Sequence, residues 1–158
     1  MQKIKLFCMD VDGTLTDGKI YMGSNGEVMK AFDIKDGYGI HEILPQHGIV
    51  PVIITGRKSS IVENRARELG ITELYQGAHE KLPVLEALLR KYGCTWENAA
   101  YVGDDVLDME CMGKCGLAMC PADAVERVKN ISDYVAKRRA GYGAVREIIE
   151  WMIGAYCA

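Results

Sequence analysis

Short, dominantly apolar runs recur along this chain without polar alternation, and three of them stop at an acidic, hydroxyl or glycine residue. Lys3 to Met9 leads into Asp10, Ile49 to Ile54 into Thr55-Gly56, and Ala99 to Val102 into Gly103-Asp104. Gly116 to Met119 is a fourth run, and Tyr134-Val135 marks a fifth. A strand wetted on one face alternates polar and apolar residues, so runs like these suit strands covered on both faces. Pro51 counts against a central place for the second run unless it sits at the strand's start or at an irregular position. Between the runs lie helical stripes: Ile61, Val62, Ala66 and Leu69; Leu82, Leu85, Leu88, Leu89 and Tyr92; Val145, Ile148, Ile149, Met152 and Ile153. Ser60 with Glu63 reads as a capping box, and Val125 with Val128 as a short helix starting near Pro121. Strand and helix in alternation predict an α/β fold, a parallel sheet with helices on both faces.

One stretch breaks that rhythm. Ile20-Tyr21-Met22 and Glu27 to Phe32 flank Gly23-Ser24-Asn25-Gly26, and Asn25-Gly26 is a strong turn signal. A β-hairpin at about 19–33 is expected to project after the first strand, with more apolar residues than a flap needs. At 158 residues the chain reads as one domain over 1–158. Nineteen basic against twenty-two acidic residues leave a net charge of −3, which speaks against a non-specific nucleic-acid binder. The cluster Lys137-Arg138-Arg139 reads as a solvated face. No segment approaches a membrane span, and the six cysteines show no zinc spacing, so no membrane partner is expected and a reducing, cytoplasmic setting is.

In an open parallel sheet, ligands bind beyond the carboxyl ends of the strands. Asp10 and Asp12 follow the first run, Thr55 the second, Asp104 and Asp105 the third, so these groups are expected to converge. A single aspartate there would read as a turn or cap residue. The whole set at successive strand ends reads as a site, and its mutual repulsion calls for a hard divalent cation, Mg²⁺ being the natural choice for oxygen ligands. No GxxxxGK loop and no GxSxG elbow occurs, and His41, His47 and His79 lack metal-ligand spacing.

These residues also carry a resemblance. DVDGTLTDG (Asp10 to Gly18), Thr55 in ITGR, Lys81 in GAHEKLPVL and GDDVLDM (Gly103 to Met109) resemble, in order, the four motifs of the haloacid-dehalogenase-type phosphatases. FDIKDGYGI, ITGRKSSIVENRARELGI, YQGAHEK and GYGAVREI are similar to the small capless 3-deoxy-D-manno-octulosonate (KDO) 8-phosphate phosphatases; where that family has paired glycines in its tail, Ala140 precedes Gly141. The resemblance implies a Rossmann-like sheet without a cap domain. It implies a Mg²⁺-dependent phosphomonoesterase acting on an ulosonate sugar phosphate, a step feeding lipopolysaccharide precursor synthesis. Asp10 would be the nucleophile, Asp12 the acid and base, and Thr55 and Lys81 the groups on the phosphoryl oxygens. Asp10, Asp104 and the Asp12 backbone carbonyl would hold the metal, with Asp105 and Asp108 behind them.

Arg57, two residues past Thr55, is the candidate for the sugar carboxylate, with Gly56 beside it and Arg65 as a second candidate that could instead pair with Glu68 or Glu63. The family also implies a homotetramer with shared sites, in which hairpins pack together and a tail at about 138–158 brings Gly141, Gly143 and Arg146 to a neighbour's pocket. A phosphatase for 2-keto-3-deoxynonulosonate or N-acylneuraminate 9-phosphate, and a non-catalytic assembly module of the same fold, are the competing readings.

Overall fold

A computed structural model describes residues 3–157. The strands are β1 (Leu6–Met9), β2 (Tyr21–Gly23), β3 (Gly26–Met29), β4 (Val50–Ile54), β5 (Glu73–Tyr75), β6 (Ala99–Val102), β7 (Leu117–Cys120) and β8 (Tyr134–Val135). The helices are α1 (Ile34–Tyr38), α2 (Leu44–Gln46), α3 (Ser60–Glu68), α4 (Leu82–Lys91), α5 (Met109–Lys114), α6 (Glu126–Ile131) and α7 (Ala144–Tyr156), with one π turn, Gly39–Ile43, joining α1 to α2.

Six strands form a sheet in the order β5-β4-β1-β6-β7-β8, every pair parallel. The expected α/β architecture, with helices on both faces, is what the chain adopts. Alternate residues of each strand enter opposite cores. Leu6, Cys8, Val52, Ile54 and Tyr101 meet Leu85, Leu88 and Leu89 of α4 and Met112 of α5. Phe7, Met9, Ile53 and Val102 meet Val62 and Ala66 of α3 and Val145, Ile148, Ile149 and Met152 of α7. Both faces are dry, which is why the strands show no polar alternation. Each fully buried aliphatic side chain of α7 stabilises the fold by roughly 1.5–3 kcal/mol, so this helix is part of the core.

Several local details differ from the sequence expectation. The cap of α3 is Ser59, whose hydroxyl accepts from Ile61 N–H; Ser59 N–H in turn donates to Gln76 Oε1, and this tertiary bond selects it over Ser60. The helix near Pro121 begins only at Glu126. β5 is an additional edge strand of three residues, paired with β4 from Val52–Glu73 onward. Pro51 is tolerated inside β4 because Val50 N–H already points at β1, to Lys5 O at 2.9 Å, and alternation turns Pro51 toward an edge where β5 has not yet begun. The hairpin forms from β2 and β3, with Ser24-Asn25 as its two-residue tip and Gly26 at φ +114 opening β3.

Candidate active site

β1 lies between β4 and β6, so the chain leaves it toward one edge and later returns on its other side. That reversal opens a crevice beyond the carboxyl ends. The three central strands end there at Asp10, Thr55 and Gly103-Asp104, and Lys81 arrives at the start of α4. They line a cavity of about 200 Å³ together with Asp12, Gly56, Arg57, Asp105, Leu107 and Asp108.

Two glycines make the convergence possible. A Cβ on Gly13, which has φ +81, would stand 2.0 Å from Asp104 Oδ2. One on Gly103 would stand 2.4 Å from the Cβ of Asp108. Only a bare Cα lets those carboxylates approach.

Asp108 is the fixed point of the site. It is fully buried, and its Oδ1 accepts from Lys81 Nζ and from Tyr101 Oη, each at 2.8 Å. Its Oδ2 accepts from Asp104 N–H at 3.1 Å and from Asp105 N–H at 3.4 Å. Asp108 therefore orients the nearby lysine and shapes the loop that carries Asp104, while Asp105 caps the short helical turn that follows. Lys81 Nζ also lies 3.1 Å from Asp10 Oδ1. Burial pushes the Lys81 ammonium toward neutrality, but facing Asp10 and Asp108 more than reverses this and holds it well charged.

The carboxylates are crowded. Asp10, Asp104 and Asp108 each present an oxygen, all within 4.8 Å of one another. Burial raises the Asp10 carboxyl, Asp108 raises it further, and Lys81 opposes both. Burial and then the charges of Asp10 and Asp108 push Asp104 up to about 8. Three clustered carboxylates, two of them paired with Lys81, leave excess negative charge among hard oxygen donors, and a divalent cation fits that set. Since all four Asp108 contacts are taken by protein donors, Asp10 and Asp104 are the side chains left to bind it.

The hairpin supplies residues that the sequence reading did not find. Lys30 Nζ bonds Asp12 Oδ1 at 2.7 Å and a Glu27 carboxylate oxygen at 3.0 Å. Arg57, 44 % exposed on the rim, has Nη1 3.7 Å from Glu27 Oε2. Thr14 Oγ1 donates to Asp104 Oδ1 at 3.4 Å. For Tyr101 a signal existed: a lone hydroxyl in the buried run AAYV needs a partner.

Other candidate residues stand away from this cavity within the chain. Arg65 pairs with Glu68 at 3.2 Å and lies over the Phe32 ring. Arg146 pairs with Glu150 at 2.7 Å, lies over the Tyr38 ring, and lines a separate cleft with Lys35 and Arg138. Gly143, at φ +94, caps α7. Gly141, at φ +78, packs so closely that a Cβ would meet Asp17 N at 2.5 Å.

The model of the haloacid dehalogenase-like hydrolases matches residues 68–149, which carry Lys81 and the Asp104 loop. A parallel sheet with a nucleophile-type aspartate at the end of its central strand is the arrangement of that class, and the chain belongs to it. Within the class it falls in the family of 3-deoxy-D-manno-octulosonate 8-phosphate phosphatases. The KdsC protein of that name from Escherichia coli is 48 % identical over 152 residues, covering 96 % of this chain and 80 % of the relative. The crystal structure of the Yersinia pestis phosphatase is 44 % identical with a TM-score of 0.93, covering 98 % of this chain and 83 % of that one. The Moraxella catarrhalis phosphatase, solved with magnesium, phosphate and KDO, is 42 % identical with a TM-score of 0.92, covering 98 % and 88 %.

Proposed function

We propose that this chain is a Mg²⁺-dependent phosphomonoesterase that hydrolyses 3-deoxy-D-manno-octulosonate 8-phosphate to KDO and phosphate through an aspartyl-phosphate. The observation that carries the reading is Asp10 at the end of β1, paired with Lys81 and crowded by Asp104, in a chain of this family. Asp10 attacks phosphorus, and the bond from phosphorus to the sugar oxygen breaks. Asp12 gives its proton to the leaving alkoxide. Water then attacks the phosphorus of the aspartyl-phosphate, Asp12 takes the water's proton, and the bond to Asp10 breaks to release phosphate. Lys81, Thr55 and the Gly56 backbone stand at the cavity wall where charge builds on the phosphoryl oxygens. Asp10, Asp104 and the Asp12 carbonyl would hold Mg²⁺, which, when bound, offsets the negative charge of phosphate and carboxylates. Asp108 orients Lys81, and Asp105 caps the turn behind Asp104.

Arg57 presents a planar fork at the rim, suited to the sugar carboxylate. The nine-carbon acids, 2-keto-3-deoxynonulosonate and N-acylneuraminate 9-phosphate, carry the same carboxylate, and what favours the eight-carbon acid over them is the family of the relatives. A non-catalytic module has no use for so costly a cluster of buried charge. Steady-state kinetics with Mg²⁺ on both acids and on simple sugar phosphates test the reading. A higher kcat/KM for a nine-carbon substrate overturns the substrate, and no Mg²⁺-dependent turnover overturns the activity.

We propose further that the chain is a single catalytic domain without a cap, of which residues 3–157 are described, and that it assembles as a homotetramer. A cavity of about 200 Å³ holds a phosphoryl group and little more of a sugar, so a neighbour is the simplest means to close it. Met22 and Val28 of the hairpin are each 63 % exposed, the kind of apolar surface that subunit packing buries. The tail at about 138–158 would then bring Gly141, Gly143 and Arg146 near the next subunit's substrate, with Arg65 at the same boundary. Light scattering gives the assembly. Mixing Asp10→Asn with Arg146→Ala subunits tests sharing, with activity returning after subunit exchange if the tail crosses over. Among the described residues no helix is long and apolar enough to cross a membrane. The proposed setting is the cytoplasm, where a sugar phosphate is made and consumed.

A further inference from the structure

The work assigned to Asp12 depends on aim, since it must meet the leaving alkoxide and then the incoming water. Yet Asp12 stands on a loop with its side chain 26 % exposed, and among the described residues its carboxylate has one hydrogen-bond partner, Lys30. We propose that Lys30 is the positioning residue of Asp12. It clamps Oδ1 so that Oδ2 moves the proton, and Glu27 holds Lys30 in place.

Three observations converge. First, the Lys30 side chain is 1 % exposed, whereas lysines normally keep the ammonium in water. Second, its Nζ sits between Asp12 Oδ1 at 2.7 Å and Glu27 at 3.0 Å. A buried ammonium is tolerated when it is paired and hydrogen-bonded in this way. Third, the Glu27 side chain is only 11 % exposed, and its Oε2 lies 3.7 Å from Arg57 Nη1 as well. The hairpin thus reaches from β3 into its own chain's active site and spans the distance from rim to proton donor. Lys30 makes and breaks no bond in the reaction; it acts by fixing one torsional state of Asp12. That task exists only if Asp12 is the proton donor, and so rests on the phosphatase reading.

The test compares two substrates with the full chain and Mg²⁺. The alkoxide of KDO 8-phosphate needs a proton to leave, and the nitrophenolate of p-nitrophenyl phosphate does not. Rapid-quench and stopped-flow single turnovers read the first cleavage. Lys30→Met is expected to slow sugar-phosphate cleavage at least about tenfold more than nitrophenolate release, with kcat falling and KM moving less than about threefold. Lys30→Arg should recover part of the loss, and Glu27→Gln should show the same split at smaller size. If Lys30→Met does not fold, the ratio is read from the other two variants. Equal slowing with both substrates, or a change in KM alone, overturns the role of Lys30. A wild-type chain that cleaves p-nitrophenyl phosphate but no alkyl phosphate overturns the sugar-phosphatase reading instead, and the task of Lys30 with it.

Discussion

Asp36 gives the fold a pH dependence whose sign and size follow from its surroundings. Its residue is 1 % exposed, Oδ1 accepts from Arg146 N–H at the start of α7 at 2.8 Å, and Oδ2 has no partner. Burial pushes the carboxyl from 3.8 to about 7; Asp33 adds to this, while the Arg146 and Val145 N–H groups and the Arg65 guanidinium pull it down. The folded-state value lies above the unfolded one, so between these pH values the folded chain binds more protons. Stability is therefore lost as pH rises through this window and levels off above it. From about pH 5 to about pH 8 the loss is about 2.5 kcal/mol, or about 5–10 °C in Tm for a chain of this length. Asp36→Asn keeps the acceptor for Arg146 and removes the titration. An amide facing Arg65 can add a fixed cost, which shifts the curve without tilting it. Urea unfolding across that range should show the wild type losing about 2.5 kcal/mol relative to the variant as pH rises. Parallel curves, or a gain for the wild type, would refute the reasoning.

Gly13→Ala should leave the chain folded, at a backbone cost of about 1–3 kcal/mol, but displace Asp104 and lower kcat at least about tenfold; circular dichroism and steady-state kinetics read the two effects. Tyr101→Phe removes one of two donors to Asp108 Oδ1 and should cost about 1–2 kcal/mol in urea unfolding. Its kcat should fall less than about tenfold, because Lys81 keeps its own bond. In chelator, Asp104→Asn should melt at or above the wild type, since it relieves the crowding with Asp10 and Asp108. Mg²⁺ at about a hundred times its Kd should then stabilise the wild type by about 2.7 kcal/mol and the variant by much less, as read by calorimetry.

The parts of the site at strand ends were legible because burial on both faces leaves an unmistakable apolar run, and the run's last residue marks the mouth. β6 ends where its run ends, and Asp104 follows within two residues. β5 was not legible, because it has three residues and its buried Glu73 is kept there by Tyr75 and Tyr92, partners known only after folding. The start of α3 reads at Ser60 in the sequence because Glu63 follows it at capping-box spacing, and the cap falls instead at Ser59, which Gln76 from a distant loop holds. Lys30 was hidden for a related reason. In GEVMK it looks like one more polar residue of a hairpin, and only the fold of β3 against the β1 loop turns it inward. Arg65 and Arg146 illustrate the converse, since Glu68 and Glu150 lie three and four residues on, where a helix pairs them locally.

The central claim is that Asp10 becomes phosphorylated during turnover. Acid quench of the chain with KDO 8-phosphate and Mg²⁺, borohydride reduction and peptide mass spectrometry would locate an acyl phosphate directly. The account predicts that residue 10 is reduced to its alcohol only when both substrate and Mg²⁺ are present, and that Asp10→Asn shows neither reduction nor turnover. Steady turnover with residue 10 unmodified, or with the label on another carboxylate, would contradict it.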